Sequence, residues 1–154
     1  MKKLLFISST VLSLCAFSGI TATDALDTQS APTEKAIKAN LTAHGLHYGT
    51  LNHIHSLAAF YEALKSDNVI VKFSAPWCHW CTKLTPIVQK LASTYQGILF
   101  IEVNVNSFPT LKNKYGAHYL PTMIFFKNGS LAYRTVGFKN TGFWKSKIKA
   151  IFGL

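Results

Sequence analysis

The segment Ser74-Ala75-Pro76-Trp77-Cys78-His79-Trp80-Cys81 decides the fold of this chain. It follows Val69 to Phe73, a largely apolar and β-branched run that predicts a buried strand. Beyond it, an apolar stripe at helical spacing predicts a long helix, formed by Leu84, Ile87, Val88, Leu91 and Tyr95 and interrupted by Pro86. The two cysteines therefore lie where a buried strand leads into a helix.

This position of the cysteine pair favours thiol chemistry. A sulfur at a helix N-terminus meets free backbone amides and the positive end of the helix dipole, and both stabilise a thiolate. Cys81 lies one turn further along, close enough to form a disulfide but more buried. We therefore expect Cys78 to be the attacking nucleophile and Cys81 to be the thiol that resolves the mixed disulfide with a substrate.

The rest of the pattern predicts an α/β fold. Helices are expected at residues 57–65, with Ser56 as N-cap, at 110–115 and around 143–152. Strands are expected at 98–105, 122–127 and 131–136, the last two joined by the hairpin dipeptide Asn128-Gly129. This order, strand–helix–strand–helix and then a hairpin and a last helix, predicts a central mixed β-sheet flanked by helices on both faces.

The N-terminal residues predict export. Lys2 and Lys3 precede an uncharged run from Leu4 to Ile20 and then small residues, which is the layout of a secretory signal peptide over residues 1–22. An uncleaved N-terminal anchor in the inner membrane is the alternative, since the run is nearly long enough to span a bilayer. Residues 23–48 are expected to form a polar, partly helical leader arm, and residues 49–154 the folded domain. In a bacterium, the destination would be the periplasm.

Composition agrees with one folded domain. The 154 residues are 49% hydrophobic and 14% charged, which is enough apolar material for a core. The net charge of +10 comes from dispersed lysines, which favours solubility and predicts no nucleic-acid partner. Without the signal segment only Cys78 and Cys81 remain, and a pair this close encloses too little chain to stabilise the fold much. The pair is therefore better explained by chemistry.

Five features together resemble the thioredoxin family: Trp77-Cys78-x-x-Cys81, Pro86, Leu120-Pro121-Thr122, Phe126-Lys127-Asn128-Gly129 and Gly137. The resemblance extends over roughly residues 50–152. It implies a thioredoxin-like fold and a protein-disulfide oxidoreductase that acts on protein thiols and disulfides. The redox-active disulfide Cys78–Cys81 would then be its redox group, with no other cofactor.

The resemblance also implies a substrate groove. The Leu120–Pro121 peptide bond would be cis and face the two sulfurs, and the backbone beside Pro121 would pair with an extended substrate peptide. Trp77 and Leu120 would form the apolar walls of this groove.

Two departures from the family pattern concern redox tuning. Thioredoxins usually carry a buried Asp in the strand before the motif and a Lys on the neighbouring strand, whereas this chain has Lys72 and Glu102 there. We predict that these two form a buried or half-buried pair beneath Cys81, with Glu102 in the proton-transfer role. The alternative is that both side chains reach solvent at strand ends.

The second departure is His79-Trp80 between the cysteines, where thioredoxin has Gly-Pro. A protonated His79 would favour the Cys78 thiolate and make the disulfide more oxidising, unless its ring points to solvent. Trp80 would shield Cys81 or offer a surface to a partner.

Other functions compete with this one. A metal site would draw on His44, His47, His53 and His55 together with the motif, but structural zinc usually needs a second closely paired ligand set, so no metal is expected. A non-catalytic module would hold peptides in the groove beside Pro121. Within the enzyme hypothesis, the plain layout and Leu120 favour a reductase recharged by a membrane or soluble electron donor. His79-Trp80 favours a disulfide oxidase or isomerase.

Overall fold

The strand that leads into the cysteine motif lies at the centre of the sheet. The computed structural model describes residues 33–154, and in it β2 (Asn68–Ser74) pairs in parallel with β3 (Leu99–Asn104) and antiparallel with β4 (Thr122–Lys127). Every residue of β2 after Asn68 is buried, as expected for a strand covered on both faces.

The described residues contain five strands and five helices. The sheet order is β1-β3-β2-β4-β5, with β1 at Leu51–His53 and β5 at Ser130–Val136. The helices are α1 (Glu34–Ala43), α2 (Leu57–Ala63), α3 (His79–Thr94), α4 (Pro109–Lys114) and α5 (Thr141–Phe152). The predicted helices and strands after residue 56 are therefore present, with ends that differ by a few residues. Ser56 caps α2 as expected, its hydroxyl accepting the amide of Ala59.

Alternating side chains divide the core between the two faces of the sheet. Ile70 and Phe100 point to the face covered by α3 and α5, where Leu84 and Trp144 are fully buried. The opposite face packs against α1, α2 and α4, through residues that include Leu41, Phe60 and Leu111. Helices thus cover both faces, as the sequence predicted.

The sequence did not predict the edge strand β1. Three residues are too short for a recognisable alternation, and the middle one, Asn52, disfavours strands by itself. The tertiary structure holds it: the Asn52 side-chain amide donates to the carbonyls of His47 and Phe100, and its oxygen accepts the His47 amide. The expected four-strand order is therefore corrected to five strands.

The described part of the leader arm belongs to the packed unit. Leu41 of α1 and Leu46 after it are both buried in the core cluster beneath the sheet. The domain therefore begins before residue 49, at or before α1. The predicted signal peptide or anchor lies outside the described residues. No helix within residues 33–154 combines the length and apolar character that a membrane span requires.

Candidate active site

The two sulfurs are held at the start of α3. Cys78 is the N-cap residue of this helix, and its Sγ accepts the backbone N–H of Cys81 at 3.1 Å. The two cysteines are joined by a disulfide with an Sγ–Sγ distance of 2.14 Å. Cys78 is 6% exposed and Cys81 only 2%, so Cys78 is the more accessible residue of the pair. A helix N-terminus that donates to Cys78 Sγ is an environment that stabilises negative charge on that sulfur.

The motif carries exposed aromatic side chains. Trp77 is 71% exposed, and Trp80 and Tyr119 are also exposed. The Trp80 ring lies 5.6 Å from the ring of Phe138, with the Lys83 ammonium 4.9 Å above it. Trp80 therefore leans toward the loop after β5, and its outer surface is open to a partner. His79 is exposed as well, and its ring meets Trp80 at 5.7 Å in an edge arrangement.

Pro121 lies at the sheet end that carries the motif. Thr122 pairs with Phe73, so Pro121 comes one position further toward the cysteines, opposite the end of β2. The Leu120–Pro121 peptide bond is cis. Leu120 is half-buried and packs against the core cluster that includes both cysteines. The cis bond is as the resemblance implied, and the substrate groove beside it stays a prediction.

Lys72 and Glu102 are register neighbours on β2 and β3, and the structure brings their side chains together. Lys72 Nζ donates to Glu102 Oε1 at 2.7 Å, and side-chain exposure is 1% for the lysine and 11% for the glutamate. The alternative prediction, that the Lys72 and Glu102 side chains both reach solvent, is therefore wrong. The exchange of charges between the strands preserves an ion pair in the same row of the sheet.

Three further side chains complete this polar group, and the sequence did not predict them. The Ser74 hydroxyl donates to Glu102 Oε1, and Thr85 on α3 accepts from Lys72 Nζ while its own hydroxyl donates to the Cys81 carbonyl at 3.0 Å. His53 lies across the sheet on β1, with Nδ1 3.5 Å from Glu102 Oε2. Spacing carried a signal for the first two, since Ser74 lies two residues after Lys72 and Thr85 one helical turn after Cys81.

A cleft of about 570 Å³ opens beside this group. Cys81, Glu102 and His53 all line it, and Thr85 and Ser74 contribute to its wall. Cys81 and Glu102 thus line the same solvent-accessible space.

Comparisons with known proteins agree with this geometry. The thioredoxin family model matches residues 52–150, more than half of the chain. The chain belongs to the thioredoxin family. It is 33% identical to a thioredoxin of Chlamydia trachomatis over 81 residues, which are 53% of this chain and 79% of that protein. It is 35% identical over 88 residues to the mitochondrial thioredoxin-2 of Schizosaccharomyces pombe, covering 56% of this chain and 66% of the relative.

Solved thioredoxins share the fold. A mutant thioredoxin from Halobacterium salinarum superposes with a TM-score of 0.66 at 23% identity, covering 70% of this chain and 96% of the other. The thioredoxin of Plasmodium falciparum does so with a TM-score of 0.61 at 29% identity, covering 65% and 98%. With the family and the cysteine pair in place, this thioredoxin-family protein is a thiol–disulfide oxidoreductase that acts on protein thiols and disulfides.

The part of the chain that the structure describes contains no cluster of side chains that could bind a metal ion. No group of three or more His, Cys, Asp or Glu side chains there is arranged to hold an ion. Of the four histidines, His53 faces Glu102, and both it and His55 line the cleft.

Proposed function

We propose that this protein is an exported reductase of protein disulfides, with Cys78 as nucleophile, Cys81 as resolving thiol and no cofactor beyond this cysteine pair. The observation that carries the proposal is the placement of Cys78 Sγ at the N-terminus of α3, where it accepts the Cys81 amide, in the more accessible residue of the pair. Export rests on the N-terminal sequence pattern.

The reaction begins with the reduced pair. The Cys78 thiolate attacks one sulfur of a substrate disulfide, forms a mixed disulfide and releases the other substrate sulfur as a thiolate. Cys81 then loses its proton and attacks Cys78 Sγ. The Cys78–Cys81 bond forms, the bond to the substrate breaks, and the second substrate sulfur leaves with the electron pair. The substrate is reduced and the enzyme is oxidised by the same two electrons.

Glu102 is the proposed acceptor of the Cys81 proton. It lines the same cleft as Cys81, and Lys72 and Ser74 both donate to its Oε1. A carboxylate held in this way is oriented, and its second oxygen is available to receive a proton. Glu102→Gln should slow the second thiol-exchange step on the order of 100-fold while leaving the attack by Cys78 unchanged. An unchanged rate and pH profile of the second step would exclude this role.

The exposed aromatic side chains beside the motif suit protein substrates. Trp77 and half-buried Leu120 would contact the residues flanking the substrate disulfide, as walls of the groove beside Pro121. His79, exposed at the first position between the cysteines, would tune the redox potential of the pair.

Electron flow toward the substrate requires an external donor. We propose a membrane or soluble dithiol protein that returns the Cys78–Cys81 disulfide to the dithiol after each turnover. The plain arrangement of strands and helices around the motif and the apolar Leu120 beside Pro121 favour this direction over net oxidation.

Two measurements test the function. A Cys81→Ser variant should accumulate mixed disulfides with partner proteins through Cys78, and a matched Cys78→Ser variant should not. Acid quenching and alkylation of the wild-type protein in its native cells should then find Cys78 and Cys81 mostly as dithiol. Mostly disulfide would instead support an oxidase, and the absence of trapped partners would favour a non-catalytic module.

A further inference from the structure

Within the polar group beneath the cysteines, His53 is the most exposed side chain. Glu102 is flanked in sheet register by Lys72 on β2 and by His53 on β1, so the three side chains form one row across adjacent strands. Lys72 is fully buried and Glu102 nearly so, whereas the His53 side chain is 62% exposed. The row therefore runs from a buried cation through a carboxylate to an exposed imidazole.

The two oxygens of Glu102 have different neighbours. Oε1 accepts from Lys72 Nζ and from the Ser74 hydroxyl. Oε2 faces His53, with Nδ1 at 3.5 Å. A proton that arrives on Oε2 therefore arrives beside an imidazole, which can take it up at one nitrogen and release one to water from the other.

We infer that His53 relays protons between Glu102 and solvent during the thiol exchange at Cys81. This inference rests on the proposed role of Glu102. When Glu102 accepts the Cys81 proton, the Lys72 ammonium loses its counter-charge, and this is costly because Lys72 is fully buried. His53 removes that proton from Oε2, restores the carboxylate and so lowers the energy of the state from which the Cys81 thiolate attacks.

The proton balance of the step is complete. One proton leaves Cys81 Sγ, passes to Glu102 Oε2 and then to His53 Nδ1, and one leaves His53 Nε2 for solvent. When a donor later reduces the disulfide, Cys81 leaves as a thiolate and the proton returns along the same row. The two electrons come from the Cys78–Cys81 dithiol in the forward step and from the donor dithiol in the return step, so the proton relay itself needs no oxidant or reductant.

The neighbouring groups do not offer the same route. The titratable groups around Glu102 within residues 33–154 are Lys72 from β2, His53 from β1, Cys81 from α3, and His55, which lines the cleft beyond β1. Lys72 is buried and donates to Oε1 and to Thr85. His55 is exposed on the same cleft but has no ion pair with Glu102 in that part of the chain, which makes it a matched control.

The experiment separates the two steps with dithiobis(nitrobenzoate). Mixed with excess reagent, reduced protein releases one thionitrobenzoate when Cys78 attacks and a second when Cys81 resolves the mixed disulfide. The first rate depends on reagent concentration, and the second does not. His53→Gln should leave the first rate unchanged and slow the second about tenfold. This effect is smaller than that expected for Glu102→Gln, because His53 does not take the proton from Cys81 directly. Added imidazole should restore the second rate of His53→Gln, and His55→Gln should behave as the wild type.

The outcomes distinguish the His53 relay from the proposed role of Glu102 as proton acceptor. If Glu102→Gln slows the second step and His53→Gln does not, the relay is wrong and the role of Glu102 stands. If Glu102→Gln has no effect on the second step, the relay and the role of Glu102 are both wrong. A slow His53→Gln protein that imidazole does not restore would point to a structural effect of the histidine and overturn the relay. His53→Asn, measured in parallel, provides the same readout if the glutamine variant does not fold.

Discussion

Replacement of Lys72 by methionine tests whether the buried ion pair has the energetics that its geometry indicates. Methionine keeps the length and apolar stem of the lysine side chain and removes the ammonium. In the variant, Glu102 stays in place at 11% exposure without its cation, while Ser74 continues to donate to it. The change therefore isolates the cost of a poorly compensated buried charge.

The magnitude follows from the distance and the burial. At 2.7 Å between Nζ and Oε1, the attraction is about 6 kcal/mol for an effective dielectric constant of about 20. Desolvation of each ion costs several kcal/mol and offsets most of this gain, so the pair as a whole contributes little. With the cation removed, the attraction is lost and the desolvation of Glu102 remains. We expect Lys72→Met to lower the free energy of unfolding by about 3 kcal/mol, at the low end for broken buried pairs because the Ser74 hydroxyl remains.

The assay is urea denaturation of the oxidised protein at neutral pH, with midpoint and slope analysed together. Glu102→Leu alone should cost about 4 kcal/mol, because the Lys72 ammonium then retains only Thr85 as a partner. The double variant Lys72→Met/Glu102→Leu should lie within about 2 kcal/mol of the wild type, since both charges are gone. Single-variant costs below about 1 kcal/mol that add within about 0.5 kcal/mol would refute the reasoning, because they would mean that the pair is not desolvated.

Three other predictions concern the rest of the domain. Trp144→Ala should lower the free energy of unfolding by about 3–5 kcal/mol in urea denaturation, because Trp144 is buried and its ring stacks on Phe125; a loss below about 1 kcal/mol would contradict its place in the core. Asn140→Ala should cost about 1 kcal/mol, since its side chain caps α5 by accepting the Phe143 amide at 2.9 Å, and Asn140→Ser should retain most of this stability. Burial raises the pKa of Tyr115 above its ordinary value of 10.0, so the folded state favours the neutral phenol. The stability that this preference contributes is fully present below about pH 10 and is lost as the pH rises through the raised pKa. The free energy of unfolding of Tyr115→Phe, measured by urea denaturation, should therefore fall less than that of the wild type between about pH 9 and about pH 11. Equal decreases would show that folding does not raise the pKa of Tyr115.

Much of the site was accessible from sequence because the determining interactions are local. The cysteine motif follows a buried strand directly, and a helix that begins at His79 places Cys78 at its N-cap whatever the remainder of the fold does. The hairpin at Asn128-Gly129 was equally local: both residues adopt positive φ, as that dipeptide allows. The position of Pro121 opposite the end of β2 agrees with what the family resemblance implied.

Long-range strand pairing determines which side chains surround Glu102. Lys72 and Glu102 are 30 residues apart, and only the parallel register of β2 and β3 makes them neighbours on one face. Sequence predicted the pair by analogy, but it could not choose between a buried pair and two exposed side chains. That choice depends on α3 covering the row, which brings Thr85 onto Lys72.

The edge strand β1 was beyond local reasoning, whereas α1 lies where helical spacing predicted a partly helical arm. β1 has three residues and exists because Asn52 bonds to the backbone of His47 and Phe100, so its sequence carries no periodic signal of its own. Without β1, His53 resembles a loop histidine and a candidate metal ligand; with it, His53 becomes the exposed neighbour of Glu102. The sequence alone thus determined where the sulfurs lie, because helix capping acts over a few residues. The tertiary structure decided which charges and which route to solvent serve them, because strand register joins distant parts of the chain.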